Sequence, residues 1–178
     1  VNILTYDPHG SNFHKTKKIK VINKGPAYGK YTFNLKLLIW LYKNRKNYDH
    51  FVIEGIWHFS TLLARLLLKK KYSVRIHGAL DPFFSNNFLK KIKKQIYWIL
   101  IEKGNLMSSN SILLTSKIEE DLIARTYVNT NGIKKSIIND GILKPKIKKD
   151  KVKKIFFNKF PNLQNKKFLV FIGRFDKK

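Results

Sequence analysis

Cysteine is absent from the 178 residues. That absence removes disulfides, thiolate metal sites and cysteine nucleophiles together. It fits a reducing compartment, and we read the protein as cytoplasmic. Long apolar runs are missing as well. The longest, such as residues 62–68, is broken by Arg65 and falls far short of the roughly 20 residues that span a bilayer. The chain opens at Val1 without the basic, apolar and small-residue regions of a signal peptide, so a soluble or surface-bound protein is expected.

Acid is scarce: 11 Asp and Glu stand against 37 Lys and Arg, a formal charge of +26. Arginine is scarce too. Arg45, Arg65, Arg75, Arg125 and Arg174 are the only five, which leaves 37 − 5 = 32 lysines. Abundant Ile and Asn accompany the Lys, as an A/T-rich coding genome produces. Coding bias therefore accounts for the charge more readily than a dedicated polyanion function does. The charge still attracts anionic lipid surfaces, nucleic acid and phosphorylated substrates. Nucleic-acid readers favour arginine forks and stacked aromatics on a shared face. No such pattern occurs, which argues against nucleic acid as the partner.

What is present suffices for a core, with 43% hydrophobic and 13% aromatic residues. Strands are predicted at residues 1–6, 19–22, 50–53, 72–76, 111–115, 135–138 and 168–172. Helices are predicted over 33–43, from a Ser60 cap to Leu68, across Leu89–Leu100 and over 118–125. Asp81 with Pro82 is a recognised helix start. In the helix that follows, Leu89, Ile92, Ile96, Ile99 and Leu100 recur at helical spacing. Lys90, Lys91, Lys93 and Lys94 crowd its first turns. Strands alternating with helices imply a parallel α/β sheet. The lysine-rich run 144–154 reads as a solvated linker.

In open α/β sheets, ligands bind beyond the carboxyl ends of the strands. His77-Gly78, Thr115-Ser116, Asp140-Gly141 and Gly173-Arg174 all fall at such ends, and four in succession suggest a cleft. His77 is either a ligand-facing imidazole or a hydrogen-bonded loop residue. Arg174 is either a phosphate fork or half of a surface ion pair. Glu119 and Glu120 sit on the first turn of a helix, where a carboxylate complements the dipole in any case. The aromatic loop Gly55-Ile56-Trp57-His58-Phe59 either lines a pocket or closes the core, the second being the more frequent outcome. His9 with His14, and His50 with His58, lack metal-ligand spacing, so no metal site is expected. G-x-S-x-G, Walker and G-x-G-x-x-G motifs are missing.

Taken in order, "FVIEGIWHFSTLLARLLL", "VRIHGALDPFF", "LLTSKIEEDLI", "SIINDGI" and "FLVFIGRFDKK" resemble glycosyltransferase family 4, of the two-domain GT-B fold. "HGALDP" is the most specific piece, and the resemblance runs from about Tyr48 to the end of the chain. It implies a Rossmann-like parallel sheet with flanking helices, divided into an acceptor-side domain at 1–141, a lysine-rich linker at 142–166 and the first strand of the donor-binding domain at 167–178. Both domains are expected to be incomplete, and the fragment alone inactive. The implied activity is that of a hexosyltransferase-type enzyme. It moves a sugar from a nucleotide-sugar donor to a saccharide or lipid-linked acceptor with retention, without metal or other cofactor, in surface polysaccharide or glycolipid synthesis.

By the same resemblance, His77 reaches the donor sugar. Arg174, with Gly173 and Lys178, holds the donor diphosphate. Gly78, Asp81, Trp57, Ser116 and Glu119 are cleft or acceptor-side candidates. The pattern departs from the family in four places, one being the missing glycine-rich loop after the first strand of the first domain. The diphosphate lysine falls at position 179, the paired E-x7-E glutamates are absent, and Asp140 stands where Asn is usual. A rival reading is a non-catalytic basic α/β module that docks on an anionic membrane through Leu89–Leu100. The two are compatible, since an enzyme of lipid-linked acceptors works on the inner membrane face.

Overall fold

The computed structural model describes residues 1–8, 10–11, 19–82, 88–141 and 148–172, and of Phe88 and Lys90 the backbone alone. The chain divides into two compact units, Val1–Asn139 and Asp140–Lys178. The first unit is an α/β, Rossmann-like assembly. Strands β1 (Asn2–Thr5) and β2 (Lys20–Asn23) form a parallel pair. Strands β3 (Phe51–Glu54), β4 (Tyr72–Arg75), β5 (Ile112–Leu114) and β6 (Lys135–Ile137) form a four-stranded parallel sheet in sequence order. Helix α1 (Leu35–Asn44) precedes β3, and α2 (Phe59–Leu68) joins β3 to β4. Between β4 and β5 run α3 (Phe88–Tyr97), a π-helical turn (Trp98–Glu102) and α4 (Lys103–Met107). Helix α5 (Lys117–Ala124) joins β5 to β6.

Register decides which side chains share a face. Ile53 lies opposite Val74, Val74 opposite Ile112, and Leu114 opposite Ile137. Tyr72, Val74, Ile76, Ile112 and Leu114 on that face are completely buried, together with Leu63, Ala64 and Leu68 of α2, Trp98, Leu106 and Ile123. Burying one such aliphatic side chain contributes about 2 kcal/mol. Val52 and Glu54, on the opposite face of β3, are exposed. That opposite face is exposed at β3 but buried further in, at Ser73 of β4 and Leu113 of β5. Gly104 lets α4 close on α2, since a Cβ there would lie 2.3 Å from Nη1 of Arg65.

The helix starts are built from local chemistry. Asn34, buried, caps α1: its Oδ1 accepts from the Leu37 amide at 2.8 Å, and its Nδ2 donates to the carbonyls of Lys24 and Pro26. Ser116 caps α5 through the Glu119 amide. Helix α2 departs from expectation, with His58 rather than Ser60 at the N-cap and no side-chain cap bond. The Thr61 hydroxyl donates to the His58 carbonyl at 2.7 Å, and the Phe59 amide donates to the Tyr31 carbonyl at 2.8 Å. A distant carbonyl thus satisfies one amide of the first turn. Pro82 lies in a 3-10 turn. The continuation of the Asp81-Pro82 helix start, like Phe83 and Phe84, lies outside the described residues.

In the second unit the run expected to be a linker contains helix α6 (Lys149–Lys159) and a 3-10 turn at Pro161–Leu163. No residue of either is buried. The helix carries its own aromatic cluster, in which Phe156 stacks on Phe168 with centroids 5.6 Å apart and lies 5.2 Å from Phe160. Lysine is a good helix former, so a lysine-rich composition does not by itself predict coil. Residues 168–172 were expected to form a strand and do not. A parallel strand depends on neighbouring strands to take up its amides and carbonyls, which strand-like composition alone does not supply.

Candidate functional site

The four strands end side by side, and polar contacts stitch their carboxyl ends together. At the end of β3, the Gly55 amide donates to the Arg75 carbonyl at 2.7 Å. Gly55 has φ +89° and Trp57 has φ +68°, so the chain leaves the sheet through left-handed backbone. At the end of β4, His77 has φ +48° and Gly78 has φ +70°. Glycine takes this conformation without cost, whereas histidine does so infrequently. Sparsely populated backbone held in place by its surroundings clusters at functional sites.

The His77 side chain is held by its neighbour. Nε2 lies 2.5 Å from Oε2 of Glu54, and both side chains are more than half exposed. A carboxylate on one ring nitrogen places the proton there. Nε2–H donates to Glu54, which fixes the ring through one nitrogen and leaves Nδ1 outside that contact. The pair is thus an oriented imidazole on the open rim of the sheet. Among the described residues, apart from its chain neighbours, no atom lies within 4 Å of where a Cβ on Gly78 would sit. The glycine is required there by its φ rather than by crowding.

Glu119 does a different job. One carboxylate oxygen accepts from the Gly78 amide at 2.8 Å, and the other accepts from the amide and hydroxyl of Thr115 at 2.7 and 2.9 Å. The side chain is buried. It ties the β4 turn to the β5 end and to the start of α5. Across the next gap, Asn139 Nδ2 donates to the Thr115 carbonyl at 2.9 Å. Three adjacent strand ends are therefore locked in one constellation beneath the Glu54–His77 pair.

Of the expected residues, His77, Gly78 and Glu119 come together. Ser116 stands at the edge as the α5 cap, and Asp81 closes the turn by donating its amide to the Gly78 carbonyl at 2.9 Å. Trp57 goes elsewhere. Its ring packs on Tyr97 and Trp98 at 5.9 and 6.0 Å, and Lys94 lies 5.5 Å over its face. With Tyr31, Lys93 and Tyr97 it lines a shallow pocket of about 260 Å³. Gly173, Arg174 and Lys178 lie outside the described residues. Among the described residues, no group of three His, Cys, Asp or Glu is placed to hold a metal ion.

Behind that pocket sits a residue that pattern reading missed. Glu102 ends the π-helical turn and is fully buried. It accepts from the Trp57 amide and Asn105 Nδ2, with the Thr61 hydroxyl 3.3 Å away. Burial pushes its carboxyl up, and the hydrogen bonds from the Trp57 amide and Asn105 oppose this only in part. The Thr61 proton is already committed to the His58 carbonyl at 2.7 Å, so a protonated Glu102 has Thr61 Oγ1 as its acceptor. Burial likewise raises the Tyr97 and Tyr31 hydroxyls, which share a 2.7 Å hydrogen bond. π-helical turns cluster at functional positions, and this one was hidden inside an apolar run. No protein-family model, curated protein or solved structure matches the chain.

Proposed function

We propose that this chain carries the acceptor-side half of a retaining, GT-B-type glycosyltransferase that uses a nucleotide-sugar donor and a saccharide or lipid-linked acceptor. One observation carries the reading. The "HGALDP" histidine sits at a strand's carboxyl end in left-handed backbone, with its imidazole oriented by Glu54 at 2.5 Å. That is how a rim residue is presented to a ligand, and the ordered motifs around it resemble glycosyltransferase family 4.

In the reaction the bond between the sugar's anomeric carbon and the diphosphate oxygen breaks, and the nucleoside diphosphate leaves. The acceptor oxygen bonds to the same face of the sugar, and its proton passes to the departing phosphate. Glu54 holds the Nε2 proton of His77, and Nδ1 is the ring nitrogen left to hydrogen-bond a sugar hydroxyl and fix the sugar ring. Orientation of this kind lowers the barrier without a covalent step. The growing charge on the leaving diphosphate needs cationic partners, a role assigned to Arg174 and Lys178 with Gly173. Glu119, fully engaged by backbone amides, shapes the turn and does not touch substrate.

The direct test is to incubate the complete two-domain enzyme that the proposal describes, rather than residues 1–178 alone, with a panel of nucleoside-diphosphate sugars and lipid-linked or oligosaccharide acceptors, and to follow release of nucleoside diphosphate. Acceptor-dependent release that falls with the loss of His77 supports the reading. Equal release by wild type and by the His77 variant, or none with any donor, overturns it.

A further inference from the structure

Helix α3 faces the wrong way for a helix stabilised by an aliphatic stripe. Leu89, Ile92, Ile96, Ile99 and Leu100 are 69, 39, 55, 69 and 72% exposed. The same segment buries Trp98 and Glu102 instead, and α2 packs against the π-helical turn and α4. An amphipathic helix ordinarily turns its apolar stripe to the core. Here the core side is already filled by aromatic rings and a buried polar cluster, and the aliphatic stripe is left facing solvent. A continuous exposed stripe of this kind marks an interaction surface.

From this exposed stripe we propose that α3 is a docking surface for anionic phospholipid bilayer. Charge identifies the occupant. The sequence of α3, FLKKIKKQIY, has four lysines and no acid, in a chain of net charge +26. A second copy seated on this face would bring eight lysines together, which disfavours self-association. An anionic lipid surface supplies both an apolar layer and opposite charge. Among the described residues no helix is long and apolar enough to cross a membrane, so the mode is a helix lying in the interface plane with its apolar side among the acyl chains. Each lysine near an anionic surface contributes roughly a fivefold gain in partitioning. Docking on a bilayer neither requires sugar transfer nor follows from it.

Co-sedimentation with vesicles of phosphatidylcholine alone, or mixed with phosphatidylglycerol, tests the assignment. Ile96→Ser with Leu100→Ser alters exposed positions and is expected to keep the wild-type melting temperature. Wild type is expected to bind the mixed vesicles at least tenfold better than the neutral ones, with binding weakened by salt. The double variant is expected to lose at least tenfold. Lys93→Gln, unchanged in melting temperature, is expected to lose roughly fivefold on mixed vesicles and little on neutral ones. Equal binding to both vesicle types, or double-variant binding equal to wild type, overturns the proposal. A dimer in solution that the double variant abolishes assigns the stripe to a second copy and overturns it as well.

Discussion

Glu54 and His77 end adjacent parallel strands and meet through Oε2 and Nε2 at 2.5 Å on an exposed rim. The contact fixes which ring nitrogen carries the proton. Glu54→Gln keeps the size of the side chain but removes the charge that holds that proton. Turnover is expected to fall about 10- to 100-fold, less than on loss of the imidazole itself. Because the pair is solvent-exposed, unfolding free energy is expected to move by no more than about 0.5 kcal/mol. Steady-state rates and urea denaturation of the same preparation check both halves. A large stability loss with normal turnover contradicts the assignment.

Glu119 is expected to behave in the opposite manner. Removing its carboxylate in Glu119→Ala strands the Gly78 and Thr115 amides beside a buried cavity, and each unsatisfied buried donor costs about 1–3 kcal/mol. A loss of roughly 2–5 kcal/mol in the urea midpoint analysis is expected. A variant as stable as wild type contradicts the clamp.

Gly78→Ala isolates backbone from packing. Its φ of +70° penalises any side chain, while the space around the site is open. The expected cost is about 1–2 kcal/mol, from the left-handed conformation alone. A loss above about 3 kcal/mol would indicate crowding that the open space does not contain.

Glu102 gives a pH signature. Burial raises its carboxyl above the ordinary 4.5, so folding favours the protonated form. Its contribution is fully present below the unfolded value and is lost as pH rises through the folded one. Glu102→Gln removes that titration while keeping an acceptor for the Trp57 amide. The variant is expected to gain stability over wild type between pH 5 and 8, and to show no advantage at pH 4. Denaturation midpoints across that range test it, and an advantage that grows toward low pH contradicts it.

Much of the first unit was legible in residue patterns. Short apolar runs bounded by turn residues located the strands within one or two residues, and the helix read over 118–125 lies one residue from α5. Where reading failed, the deciding information was not local. Periodicity shows that α3 has an apolar face but not which face meets the core. Residues 168–172 have strand composition, yet a strand exists only with a neighbour. The Glu54–His77 pair depends on register, which no spacing reveals. Glutamate was the overlooked signal. The chain has only four, at positions 54, 102, 119 and 120, and three of them are fixed at the sheet rim or in the core. In a lysine-rich composition, retained acid marks a position where a carboxylate is needed.

The most direct test of the central claim compares nucleoside-diphosphate release by wild type and His77→Asn, both in the complete two-domain enzyme that the proposal describes, with melting temperatures measured on the same samples. Asparagine tolerates left-handed backbone better than other non-glycine residues, so the substitution removes the imidazole and keeps the turn. A fall in turnover of roughly 100-fold or more, with the melting temperature unchanged, is the predicted result. Normal turnover in the variant, with or without a lower melting temperature, would show that His77 only holds the loop and would contradict the account.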